Sequence, residues 1–477
     1  MAVRKAEALN GNIVVDNPML PGGLIPIEEW TLPGASVSRT LIGTARYWLE
    51  QLGAEIIRRD ESFESLDGLP ELSAEQLKKI APEPDYNAHG RAIAEAIQHL
   101  RNKQQCRRSV LLIVAPPFSG IAPALRSFTT CKIVNSNQKT SEQQASKSYR
   151  LILPPTDLLM SEEAARQWWQ KQSLDQPWVI SELAVFWRRH HDGLMLVQEL
   201  LRLLATDAAG EGVIGCNSWC WQFWSSYCPE AHLTPWAPAP LTEDRLGVWL
   251  QQLACCDNDL VPVVRMATDG LYVLPPKSTD KDINGKDING KDINGKDKNE
   301  KRKYAHLLRN LAADSRGIPG VALAIWQRAL RARPDADADD TALQSQEQRC
   351  HKNNGAHSWV VPLDQLRLPV MPISPERNFG LLLHALLLHD GLTTADLALV
   401  TAIAEPDLSL ALSRLQQAGI LKAGTLTEEY AEQLPSANLK KPVEDADLES
   451  KVWRVTPLGY PATRRHLQSW GFPLDVF

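Results

Sequence analysis

The residues best placed to do chemistry follow the apolar run Val110-Leu111-Leu112-Ile113-Val114. They are Ala115-Pro116-Pro117-Phe118-Ser119-Gly120-Ile121-Ala122. A buried strand that ends in a Pro/Gly turn and leads straight into a helix aims main-chain N–H groups at one point, which attracts anions. Unaided, that attraction is worth only about 1 kcal/mol. A charged side chain would have to add to it, yet positions 121 and 122 carry Ile and Ala. A plain strand–turn–helix accounts for the octapeptide equally well, since Pro-Pro and Ser-Gly are common turn residues. Other constellations are weaker. Eight cysteines, at 106, 131, 216, 220, 228, 255, 256 and 350, form no CxxC pair, so neither a disulfide framework nor a zinc ribbon is expected. Cys216 and Cys220 read as small buried apolar residues. His190-His191-Asp192 has no third ligand at helical spacing and reads as a charged helix end. No Gly-x-Ser-x-Gly elbow or His-Glu-x-x-His pair occurs.

Around this turn, short apolar runs alternate with amphipathic stretches. The runs are Leu151-Ile152-Leu153, Trp178-Val179-Ile180 and Gly212-Val213-Ile214, and helical patterns cover Ala88–Lys103, Ser161–Lys171 and Ala184–Leu204. Buried strands separated by helices predict a parallel sheet covered on both faces, so 88–265 reads as an α/β layer domain. The preceding 1–87 reads as an irregular and helical extension, with helical patterning over Ser38–Leu52 and a capping-box pattern at Ser73-Ala-Glu-Gln76. Within 266–303, Lys-Asp-Ile-Asn-Gly occurs three times in tandem over 281–295. One apolar residue per unit cannot bury a core, and the spacing of a calcium loop is missing, so a disordered, solvated insertion is expected. Residues 304–333 read as helical and 334–375 as an acidic linker. The last stretch, 376–477, opens with the buried helix Leu381–His389 and continues helix, turn, helix, strand, polar insertion, strand. That is the order of a winged helix.

Composition bounds the rest. Over 477 residues the net charge is −6, with 44% hydrophobic and 23% charged residues, the usual mixture for a soluble globular protein and a poor one for coating nucleic acid. No apolar run reaches the roughly 18 residues that span a membrane, and the polar N-terminus lacks the apolar core of a signal peptide. The cytoplasm is the expected compartment.

The octapeptide at 115–122 resembles the phosphate-binding loop of AAA+ ATPases, usually Gly-Pro-Pro-Gly-Ser-Gly-Lys-Thr. In that family the loop's N–H groups cradle the β-phosphate, the Lys meets the β- and γ-phosphates, and the Ser/Thr hydroxyl binds magnesium. Here the Lys and hydroxyl positions are Ile121 and Ala122, and two Gly positions are Ala115 and Phe118. Downstream, Glu182 matches the family's water-polarising Glu, while Ser181 replaces the Asp that holds magnesium. Asn217 or Ser218, after the 212–214 run, is similar to the first sensor position. Ser315-Arg316-Gly317-Ile318-Pro319-Gly320 resembles the lid of origin-recognition and STAND-type ATPases, with Arg316 the nearby cation.

The resemblance implies an α/β fold: a P-loop NTPase-like parallel sheet with a helical lid, followed by a winged-helix domain. It also implies a degenerate nucleotide site made of Ala115, Pro116, Pro117, Phe118, Ser119, Gly120, Ile121, Ala122, Asn217 and Arg316. Glu182 is the one catalytic candidate, and no metal ligand is expected. ATP or ADP would bind, if at all, without well-held magnesium. The leading expectation is a catalytically inactive regulatory or scaffold subunit acting through contacts with another protein. The alternatives are a nucleotide-driven switch with unorthodox phosphate contacts and a winged-helix DNA-binding regulator. DNA is disfavoured because the would-be recognition helix, 407–417, has one cation, Arg414, and acidic residues, Glu405 and Asp407, at its start. Fifteen tryptophans, many between Trp168 and Trp224, read first as core and second as a partner-binding patch.

Overall fold

The computed structural model describes residues 17–34, 69–103, 108–129, 149–229, 233–254, 263–274, 306–332, 357–373, 378–425 and 451–477. The helix expected over 38–52, the Lys-Asp-Ile-Asn-Gly repeats, the acidic stretch at 334–348, the polar insertion at 426–450 and five of the cysteines lie outside them.

Six strands form the main sheet: β1 (Leu24–Pro26), β2 (Val110–Ala115), β3 (Arg150–Leu151), β4 (Trp178–Ile180), β5 (Gly212–Asn217) and β6 (Trp236–Pro238). They lie side by side in the order β1-β6-β2-β5-β4-β3. All neighbours are parallel except β1, which runs antiparallel to β6 at one edge. Helices α1 (Ala74–Ile80), α2 (Tyr86–Asn102), α3 (Ile121–Arg126), α4 (Glu162–Gln170), α5 (Met195–Ala205) and α6 (Ser218–Tyr227) accompany it. The alternation of strand side chains sorts them into layers. Leu111, Ile113, Ala115, Val179 and Val213 share one core with Ile93 and Ile97 of α2 and Leu125 of α3. Leu112, Val114, Trp178, Ile180 and Ile214 share another with Trp169 of α4, Leu200 of α5 and Trp224 of α6. A strand covered on both sides has no polar face to show, which is why 110–114 is an unbroken apolar run.

Two expectations about this part need correction. The stretch 1–87 is more than an extension, because its Leu24–Pro26 is the edge strand β1. The pattern from Ala184 does not run as one helix. Two 3-10 turns, Leu183–Phe186 and His191–Gly193, precede α5, since the Glu182 carboxylate accepts Ala184 N–H and the His190 ring accepts Asp192 N–H. By contrast, Ser73 and Gln76 form the expected capping box on α1.

A second unit follows, made of α7 (Glu243–Ala254), β7 (Val263–Met266), β8 (Tyr272–Leu274), α8 (Leu307–Asp314), α9 (Pro319–Ala329), β9 (Leu330–Arg331) and β10 (His357–Val360). Its strands form a sheet ordered β8-β7-β10-β9. The divisions expected at 265/266 and 333/334 therefore cut through one sheet. The third unit holds α10 (Asn378–Leu388), β11 (Leu392–Thr393), α11 (Thr394–Thr401), α12 (Glu405–Gln417), β12 (Leu421–Thr425), β13 (Lys451–Val455) and α13 (Tyr460–Ser469). Its three strands are antiparallel, with β13 between β11 and β12. The second and third units share one apolar core, in which Leu311, Val321 and Trp326 join Leu382, Leu408 and Leu415. Among the described residues, no helix is long and apolar enough to cross a membrane.

Trp178 anchors the main sheet: it is fully buried and its indole N–H donates to Ala209 O at 2.6 Å. Trp178→Phe should lower the stability of the α/β unit by about 2–3 kcal/mol, through lost volume and an unsatisfied carbonyl, read as a shift in the urea midpoint.

Candidate functional site

The turn after β2 is built on a Pro116 carbonyl that accepts Ser119 N–H at 3.2 Å. Its third residue, Phe118, has φ 65, and Gly120 has φ 79. Glycine usually fills such positions; for Phe the left-handed conformation costs about 1–2 kcal/mol. Two contacts hold Phe118 there. Its ring meets Tyr460 of α13 edge-on at 5.6 Å, and its carbonyl accepts Gly320 N–H, in the first turn of α9, at 2.9 Å. A Cβ at Gly320 would lie 2.6 Å from that carbonyl oxygen, so only glycine lets α9 rest on the turn. Ile121 N–H donates to Ser119 Oγ at 3.4 Å. The Ile121 side chain is 3% exposed and packs into the α2/α3 core, so the position matching an ammonium is filled by core hydrocarbon.

Strand register brings the other strand-end candidates to this edge. Ala115 pairs with Asn217, so β2 and β5 end together, while β4 ends at Ile180 opposite Ile214 and the chain after it carries Glu182 toward the same edge. Glu182 Oε1 accepts two N–H groups, from Ala184 at 3.0 Å and Asn217 at 2.9 Å. Burial, then the negative charge of Asp390, pushes this carboxyl up to about 8, against the opposing pull of the two N–H groups and Arg126. Asn217 caps α6, its Oδ1 accepting Cys220 N–H at 2.8 Å, while its Nδ2 donates to Leu387 O of α10 at 3.2 Å. Ser218 Oγ donates to the Asp475 carboxylate. Arg316 does not join the set. Its Nε and Nη2 donate to Phe477 O at 3.1 and 2.7 Å, away from the turn.

The turn, Glu182 and Asn217 border a cavity of about 810 Å³. The octapeptide, Glu182 and Asn217 line one side. Met19, Leu20 and Tyr86 line another, and Pro319, Leu323 and Gln327 of α9 a third. The third unit completes the wall with Asp390, Lys422 and Arg454. His89 of α2 lies beside Gly120, and burial lowers its ring to about 4, so it stays neutral at pH 7. Three cationic side chains thus border the cavity: Arg126, Lys422 and Arg454. Arg454 Nε donates to Asp390 O at 2.9 Å. Sequence reasoning gave none of the three a role. The alternation Val452-Trp453-Arg454-Val455 says only that Arg454 faces away from Trp453, not what it faces.

Polar contacts join the third unit to the sheet. Arg188 pairs with Asp396 at 3.1 Å, and Arg189 N–H donates to Nε2 of the fully buried His389 at 3.3 Å. The His389 ring lies tilted against Trp187, with ring centroids 4.5 Å apart. Five of the clustered tryptophans, at 169, 178, 187, 219 and 224, are buried in the core. Cys216 and Cys220 are buried as expected, although Cys216 lies on a strand and not on a helix. Among the described residues no group of His, Cys, Asp and Glu is arranged to hold a metal ion. Compared with known protein families and with curated proteins, the chain matches none.

Two outcomes test this geometry. Gly320→Ala should lift α9 from the turn and destabilise the protein by about 1–3 kcal/mol, read in a denaturant titration. Glu182 is held above its unfolded value of 4.5, so its contribution to stability is complete below that pH and is lost as pH rises toward about 8. Glu182→Gln keeps the acceptor without the charge, and should flatten that fall when urea midpoints are compared between about pH 5 and pH 8.

Proposed function

We propose that this chain is a catalytically silent AAA+/STAND-like protein, a regulatory or scaffold subunit that works through protein–protein contacts in the cytoplasm. Several features support the reading. The chain leaves β2 toward β3 and leaves its neighbour β5 toward β6, in the opposite direction. The crevice at such a reversal is where open α/β sheets bind ligands, and the cavity lies there. The turn at 115–122 sits under α9 as a phosphate loop sits under a lid. The succession α10, α11, α12, β12, β13 follows the order of a winged helix, and exposed Glu405 and Asp407 on α12 suit a protein contact better than duplex DNA.

The observation that carries the proposal is the closure of the turn by its own side chains. Ser119 Oγ accepts the Ile121 N–H, and the side chain at 121 is apolar and buried. Phosphoryl transfer depends on positive charge at the transferring group, and neither an ammonium nor a magnesium-binding hydroxyl is supplied here. Purified full-length protein should hydrolyse no ATP above the buffer rate in the presence of magnesium. Ile121→Lys alone should not restore turnover, because Ala122 lacks the hydroxyl and Ser181 the carboxylate that would hold magnesium. Wild-type turnover that Glu182→Gln abolishes would overturn the reading.

The second reading is a nucleotide-driven switch with unorthodox phosphate contacts. Arg126, Lys422 and Arg454 on the cavity wall favour it. Its mark is ATP binding by calorimetry that is indifferent to magnesium and is weakened about tenfold or more by joint Lys422→Gln and Arg454→Gln substitution.

A further inference from the structure

Residues Leu474–Phe477 run between the sheet and the third unit and touch both. Asp475 is 5% exposed; its carboxylate accepts Ser218 Oγ at the start of α6 and Arg464 Nη1 of α13. Arg464, 7% exposed, also donates Nη2 to Asp475 O at 3.0 Å and lies over the Trp219 ring at 5.8 Å. Two residues on, the fully buried Phe477 ring meets Trp30 edge-on at 4.8 Å, and Arg316 grips the Phe477 carbonyl with two donors. Val476, between them, is 58% exposed. The segment is bound as an extended peptide is bound, with alternate residues anchored and one facing out. Its anchors come from three distant parts of the chain, Trp30, Ser218 and Arg316, and from Arg464 of the preceding helix.

We propose that Leu474–Phe477 is a latch: a strap that, with the Asn217–Leu387, Arg188–Asp396 and Arg189–His389 contacts, holds the third unit over the cavity, and whose release loosens that closure on the side of Cys216 and Asn217. The ion pair dominates the latch. Asp475 and Arg464 compensate each other in a nearly dry site, so withdrawing one leaves the other as a buried, unpaired charge. The groove selects a carboxylate two residues ahead of an aromatic ring, and a partner segment with that spacing would compete for it.

Cys216 reports the state of the latch, because it lines the cavity and is 2% exposed when the latch is closed. Its alkylation by N-ethylmaleimide in the full-length protein can be followed by peptide mass mapping. The proposal expects slow labelling of the wild type, and labelling faster by about tenfold or more in Asp475→Asn and in a variant lacking 474–477. Phe477→Ala, which keeps the ion pair, should give a smaller acceleration. Adding the peptide Pro-Leu-Asp-Val-Phe to the shortened variant should restore protection, and the same peptide with Asn for Asp should not. Unchanged labelling in Phe477→Ala and in the shortened variant would overturn the proposal. So would failure of the peptide to protect, which separates release of a bound strap from general loss of fold. Cys220, sealed under Trp187, should stay slow throughout.

Discussion

A parallel sheet ends in a row of strand termini whose main-chain groups point at whatever lies beyond them, and those groups must find partners. In this protein the row is closed from within. One oxygen of Glu182 serves the chain after β4 and the end of β5 at once, and Asn217 serves α6 with one end of its amide and α10 with the other. Glu182 and Asn217 thus act as structural joints at the edge that borders the cavity. The same closure keeps Glu182 dry, which is why its carboxyl holds its proton to an unusually high pH.

The turn at 115–122 follows the same logic. Its geometry is that of a loop made for glycine, but Phe118 occupies a glycine conformation and is held in it by Tyr460 and Gly320. The residue that strains the turn also fastens it: the Phe118 ring meets α13 and the Phe118 carbonyl meets α9. What positive charge the cavity has comes from Arg126, Lys422 and Arg454, two of them on the third unit. Any anion in this space would be held between units as much as by the turn.

Much of the fold was legible because it rests on local signals. Val110–Val114, Trp178–Ile180 and Gly212–Ile214 announced themselves as buried strands by continuous apolarity, and Ser73-Ala-Glu-Gln76 announced a helix start by its caps. The short strands were not legible. Leu24–Pro26 sits among prolines and glycines, and His357–Val360 sits in a stretch whose average composition is polar; each is a strand only because a partner strand is there to pair with it. The strand-end residues Glu182 and Asn217 could be placed near the turn from their order along the chain. Asp390, Lys422 and Arg454 could not, because nothing in their local sequence says that the third unit folds back over the sheet.

Trp30 and Phe477, in edge-on contact, lie far apart in the sequence, so the early strand region near Trp30 gains this partner late. On a ribosome, the strands β1 to β6 would emerge and pair long before Phe477 is translated. During that interval Trp30 lacks Phe477 and Phe118 lacks Tyr460. The nascent protein thus passes through a sticky, half-dressed stage whose length is set by elongation of the third unit, and slowing translation there would prolong its exposure to chaperones and to aggregation.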